Sequence, residues 1–164
     1  RKADLWTREQ LTAESRRYLQ QAPEKIVRDE VTLVHGSPRS PIWEYILHAY
    51  IAQQNLAYFE TPLCLVGHSH IPAVFWQPAE SMPVVALEVE EGEPFSYADG
   101  RYIVNPGSVG QPRDYDPRAA YILLDSETRT LEHRRVDYNF RATQRVMRAA
   151  RLPQHLVIRL QYGQ

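Results

Sequence analysis

The 164-residue chain has almost no cysteine: Cys64 is its only one. No internal disulfide can form, and a reducing, cytoplasmic setting is the expectation. Long apolar runs are also missing. None reaches the roughly 18–20 residues of a bilayer span. The opening Arg1-Lys2-Ala3-Asp4-Leu5-Trp6 has no signal-peptide core and no initiator methionine. Neither sign of charge dominates, with 19 Lys+Arg against 20 Asp+Glu. That argues against a generic nucleic-acid or anionic-membrane surface. Several catalytic signatures are absent too: His-Glu-x-x-His, Gly-x-Ser-x-Gly and the Walker loop.

What is present is ordinary globular composition, 43% hydrophobic and 24% charged, in a length that suits one domain with a real core. Thr7–Gln21 carries Leu11, Ser15, Tyr18 and Leu19 at helical spacing and predicts an amphipathic helix that stops at Ala22-Pro23. Val31–Val34 and Leu63–Val66 predict buried strands. Ile42 to about Phe59 predicts one helix or two short ones. Strands are expected at Val74–Trp76, Val84–Val89 and Tyr102–Val104, and a hairpin over Ala120–Leu124 and Leu131–Val136. Asn139 is placed to cap a helix over Phe140–Ala150 with Val146 and Met147 inward. Helix and strand interleave first and strands then run together, which predicts an α/β or mixed α+β sandwich.

The chemistry concentrates at strand ends. One strand runs out in His35-Gly36-Ser37-Pro38, a second in Gly67-His68-Ser69-His70-Ile71-Pro72, a third in Asn105-Pro106-Gly107-Ser108-Val109-Gly110. Ligands of open α/β sheets bind outside the carboxyl ends of strands, so the three loops are expected to share a cleft. Neutral imidazole is a good ligand for Zn²⁺, Mn²⁺ or Fe. His68 and His70, two apart, could chelate one ion or reach two neighbouring ones. Gly67 is expected to let the backbone turn clear of the site. His48, His133 and His155 are assigned to a helix, the polar face of a strand and a helix, away from chemistry. Cys64, inside an apolar run, is assigned to the core. The Asn105–Gly110 loop is either an anion-binding loop or a tight structural turn. Arg113, just beyond it, is a candidate phosphate partner.

The order and spacing of Val34-His35-Gly36-Ser37-Pro38, Val66-Gly67-His68-Ser69-His70-Ile71-Pro72 and Val104-Asn105-Pro106-Gly107-Ser108-Val109-Gly110-Gln111-Pro112-Arg113 resemble the C-terminal half of a calcineurin-like metallophosphoesterase, most of all the small bacterial members. The resemblance runs from about Leu5 to Leu160. It implies a sandwich of two mixed β-sheets flanked by helices and two divalent metal ions, Mn, Fe, Zn or Ni. It also implies hydrolysis of a phosphomonoester, phosphodiester or nucleotide by a metal-bridging hydroxide. His35 and His68 would share one ion and His70 would bind the other. The family's Asp-x-His, Gly-Asp and Gly-Asn-His motifs are not in this sequence. The resemblance therefore implies that residues 1–164 are the C-terminal part of a single domain. No catalytic residue is then identified in the chain, partner carboxylates are lacking, and so are the central strands on which its sheet would pair. Two alternatives stand beside the phosphoesterase: a non-catalytic scaffold of the same fold, and a mononuclear three-histidine zinc hydrolase.

Overall fold

The structure, a computed structural model, describes residues 2–164. Its centre is three parallel strands, β2 (Val31–Val34), β3 (Leu63–Leu65) and β7 (Arg101–Asn105), paired directly in that order. The sheet is thus continuous, contrary to the expectation that its strands lack partners. β1 (Lys25–Arg28) extends it as an antiparallel hairpin with β2. β4 (Ala73–Gln77) and β5 (Val85–Leu87) complete the six-stranded mixed sheet on the β7 side. A second, antiparallel sheet has the order β6 (Pro94–Ser96), β9 (Thr130–Val136), β8 (Ala119–Asp125).

Side-chain alternation builds a layer on each face of the large sheet. Cys64, Phe75 and Ile103 point to one face, where they pack with Val34, Ala52, Leu56 and Phe59 of the segment that contains α3 (Ala49–Asn55). Leu63, Val74, Tyr102 and Val104 point to the other, against Leu131 of the second sheet and Tyr97 just beyond β6. Parallel β3, covered on both faces, has to be apolar throughout, which is why Leu-Cys-Leu stands there. Full burial of a residue such as Val104 contributes about 1.5–3 kcal/mol. Arg101 pins the end of the helical segment: its guanidinium donates to the Leu56 and Phe59 carbonyls and lies 4.3 Å from the centre of the Phe59 ring.

Four helical expectations need correction. Thr7–Gln21 is two helices, α1 (Lys2–Gln10) and α2 (Ala13–Gln21), because the Thr12 side chain accepts from Ser15 N and starts a new one. Neither helix buries a residue in the rest of the chain. Ile42–Phe59 is helical only from Ala49. Pro41 and the bonds that close the preceding loop hold residues 41–47 out of helix. His48 is the extended N-cap of α3 rather than a helical residue. In α4 (Phe140–Ala149), capped by Asn139 as expected, Val146 is outward at 66% exposure. Gln144 points inward instead and donates to the Val157 carbonyl of α5 (Gln154–Arg159). No helix among the described residues is long and apolar enough to cross a membrane.

Candidate metal centre

Parallel register places the three loops together. Leu33, Leu65 and Val104 are aligned across β2, β3 and β7, so His35, Gly67 and Pro106 leave the sheet side by side. Gly67 N donates to the His35 carbonyl at 2.8 Å, and Val66 N to the Val104 carbonyl at 2.9 Å.

His35 Nε2 and His68 Nδ1 face one another at 3.0 Å, joined by a hydrogen bond whose direction depends on the tautomer. The Tyr45 ring stacks on His68 with centroids 4.1 Å apart and planes within 7°. His70 Nδ1 is 2.8 Å from the Gln111 carbonyl, so this nitrogen carries the proton and Nε2 keeps its lone pair. Burial pushes the pKa of His68 and His70 down. Like-charge repulsion from His35 adds to the effect at His68, and Arg113 adds to it at His70 against the opposing Gln111 bond. Both rings are therefore neutral at pH 7, the protonation state that donates a lone pair.

The backbone strain sits on the histidines, not on the glycine. His68 has φ 63° and His70 φ 62°, while Gly67 has no positive φ. A Cβ at Gly67 would meet the His35 carbonyl at 3.4 Å, ordinary contact, so the turn is made by the residues after it. Gly36 is the position that demands glycine: a Cβ there would lie 3.0 Å from each of three carbonyl oxygens, those of Glu44, Pro41 and Ser40.

Two supporting networks escape a reading by residue type. Asn105, buried, donates through Nδ2 to the Gly67 carbonyl at 2.7 Å and to Ser69 Oγ at 2.8 Å. Its Oδ1 accepts from Gly107 N. It ties the third loop to the histidine loop. Glu44 clamps the first loop. It accepts from Ser37 Oγ at 2.6 Å, from Asn55 Nδ2 at 2.9 Å and from the Arg39 guanidinium. These bonds, the Arg39 bond above all, hold the Glu44 carboxyl well below the usual range, at about 2. The sequence signal was Asn directly at the end of an apolar strand, and a lone Glu six residues past Pro38.

The glycine-rich loop takes the structural alternative. Gly110 N and Gln111 N both donate to Ser108 Oγ, and Gly107 N to Asn105, so these amides are engaged inside the loop. Arg113 lies beside the cleft. Its N donates to the His70 carbonyl and its Nη2 to Gln111 Oε1, and it makes no ion pair among the described residues. His133, expected on a polar face, is only 6% exposed, because β9 turns it toward the inter-sheet layer. His155 lies in α5, and Cys64 is buried, its thiol pushed up to about 12 by burial.

Do these groups suit a metal? Two nitrogens bound at ~2.1 Å and at right angles on one ion lie about 3.0 Å apart, which is the His35–His68 separation. His70 presents the tautomer of metal-bound imidazole, with its other nitrogen donating to a carbonyl. The donors fit in kind and tautomer. They are short in number: no group of three or more His, Cys, Asp or Glu side chains converges among the described residues.

No protein-family profile matches the chain. The uncharacterised protein MJ0912 of Methanocaldococcus jannaschii is 34% identical over 166 residues, covering 98% of this chain and 65% of its own length. The chain thus spans just under two thirds of that curated relative. The crystal structure of a metallophosphoesterase from Sphaerobacter thermophilus superposes with a TM-score of 0.92 at 45% identity, over 98% of this chain and 67% of that one. The crystal structure of the hypothetical protein PH1004 from Pyrococcus horikoshii OT3 shares the fold alone, with a TM-score of 0.72 at 23% identity over 95% and 57% of the two chains. With two sheets flanked by helices and this likeness across nearly its whole length, the chain belongs to the calcineurin-like metallophosphoesterase superfamily, a family of metal-dependent phosphoesterases.

Proposed function

We propose that residues 1–164 form the C-terminal part of one phosphoesterase domain, and that the complete protein hydrolyses a phosphorylated small molecule or nucleotide with two divalent ions. His35 and His68 hold one ion and His70 the other. The observation that carries this reading is the 3.0 Å approach of His35 Nε2 to His68 Nδ1 from two adjacent parallel strands. Carboxylate ligands come from the portion of the domain that the longer relatives possess and this chain does not span. Bound ions supply charge neutralisation at the phosphate and activation of water.

The chain's own residues have separable tasks. His70 is held in its ligating tautomer by the Gln111 carbonyl. Asn105 keeps the Gly67–Ser69 backbone in place. Arg113, with no acidic partner among the described residues, pairs with a substrate phosphate. A scaffold role is the second reading, supported by the shortage of converging ligands among the described residues. One experiment separates the two. In the complete protein, His35→Ala, His68→Ala and His70→Ala are expected to lose bound metal and turnover of a chromogenic phosphodiester, with unchanged far-UV circular dichroism. Wild-type turnover in any of the three overturns the assignment, and a wild type without metal or turnover decides for the scaffold.

A further inference from the structure

Near-neutral charge over the whole chain conceals a strong polarity along it. Residues 139–164 contain five arginines and no aspartate or glutamate, whereas the preceding 138 residues hold fourteen Lys+Arg against twenty acids. On α4, Arg141, Arg145 and Arg148 recur at intervals of four and three and so share one helix face. All three are exposed, as is Arg151 just beyond the helix. None makes a side-chain ion pair or hydrogen bond among the described residues. A row of unpaired guanidinium groups repels itself mildly and presents a positive field that attracts an anionic partner.

This row is attached to the metal centre. α5 packs on α4 through Gln144, and the end of the chain closes on the loop after Arg113, where Tyr115 N donates to the Gly163 carbonyl at 2.8 Å. Arg159 of α5 lies close enough to Arg113 for mutual repulsion, and both act on His70. At this junction two aromatic side chains are exposed, Tyr115 at 78% and Tyr162, the neighbour of Gly163, at 52%. Arginines for a backbone and free aromatic faces for bases are the pairing that binds single-stranded nucleic acid. A membrane surface is a poorer match. Val146 is the one large apolar side chain that α4 leaves exposed, and an interfacial helix needs a whole apolar face.

We propose that the α4–α5 unit is a docking surface for single-stranded nucleic acid, with the phosphodiester backbone along Arg141, Arg145 and Arg148 and bases stacked on Tyr115 and Tyr162. Delivery of a phosphodiester to His35, His68 and His70 then follows, and that last step alone rests on the phosphoesterase reading.

The test is fluorescence anisotropy of a labelled oligothymidine with the complete protein in EDTA, which reads docking without turnover. Four arginine contacts predict a slope of log K against log salt of about −3, at ~0.7 per phosphate on a single strand. The combined Arg141→Gln, Arg145→Gln, Arg148→Gln, Arg151→Gln variant is expected to bind at least ~10-fold more weakly with a flattened slope. The matching Arg→Lys variant is expected to retain binding, which separates charge from folding. Tyr115→Ala is expected to cost about tenfold through lost stacking. Unchanged affinity in the Arg→Gln variant overturns the proposal. So does displacement by inorganic polyphosphate as effective as by unlabelled oligonucleotide, or capture by phosphatidylserine vesicles without oligonucleotide binding. Docking with no metal-dependent cleavage counts against the phosphoesterase reading and leaves the docking surface standing.

Discussion

Glu44→Gln is the most informative single change, because one carboxylate closes the loop that carries His35. The carboxylate takes hydrogen bonds from Ser37, Asn55 and Arg39, and its side chain is 20% exposed. Its pKa is lowered from 4.5 to about 2. By proton linkage a displacement of that size corresponds to about 3 kcal/mol of native-state stability, and the remaining exposure makes this an upper figure. Glutamine keeps the shape but loses the charge and cannot accept from all three donors. The variant is therefore expected to be about 2–3 kcal/mol less stable at pH 7, a fall in Tm of about 4–10 °C for a chain of this length. Because the folded pKa is depressed, the stabilisation is complete above about 4.5 and disappears as pH falls toward about 2. Roughly 2 kcal/mol of it is gone by pH 3. Urea unfolding of both proteins at pH 7 and pH 3 measures this directly. The gap between wild type and variant should be wide at pH 7 and narrow at pH 3. An equal gap at both values, or none at pH 7, refutes the reasoning.

Two further predictions concern packing. Gly107→Ala is expected to lose about 2–4 kcal/mol in urea unfolding, since Gly107 has φ +95° and a Cβ there would sit 2.8 Å from Ala120 Cβ and Pro72 Cγ. Cys64, fully buried with its thiol raised to about 12, is expected to resist DTNB at pH 8 in the native protein and to react once urea unfolds it.

The three strand-end motifs, two of them carrying the histidines, were legible because each sits at the end of an apolar strand, and strand ends are where such sheets place ligands. β2, β3 and β7 were legible as short β-branched or apolar runs, and the β8–β9 hairpin by its Asp125–Thr128 turn. β1 and β6 were not. Lys-Ile-Val-Arg is exposed along its length, and Pro-Phe-Ser is too short to show a period. The geometry of the site was hidden for a different reason. The roles of Asn105 and Glu44 are set by partners 36–38 and 5–11 residues away in the chain, and residue type alone does not name such partners. His133 shows the opposite error. Its polar neighbours Glu132 and Arg134 suggested solvent, yet the pleat turns it inward.

The left-handed backbone of His68 and His70 sets function against stability in a measurable way. Two non-glycine residues at φ 63° and 62° cost roughly 1 kcal/mol each relative to glycine, which adopts that region freely. Selection for thermal tolerance acts on that strain wherever its relief outweighs the Tyr45 stacking on His68 and the Gln111 bond to His70. A library of this protein screened only by heat challenge will therefore enrich glycine at positions 68 and 70 and lose the imidazoles early. Recovery of stable, inactive clones with those two changes would be the direct trace of the conflict, and an engineering effort has to fix both positions before raising Tm.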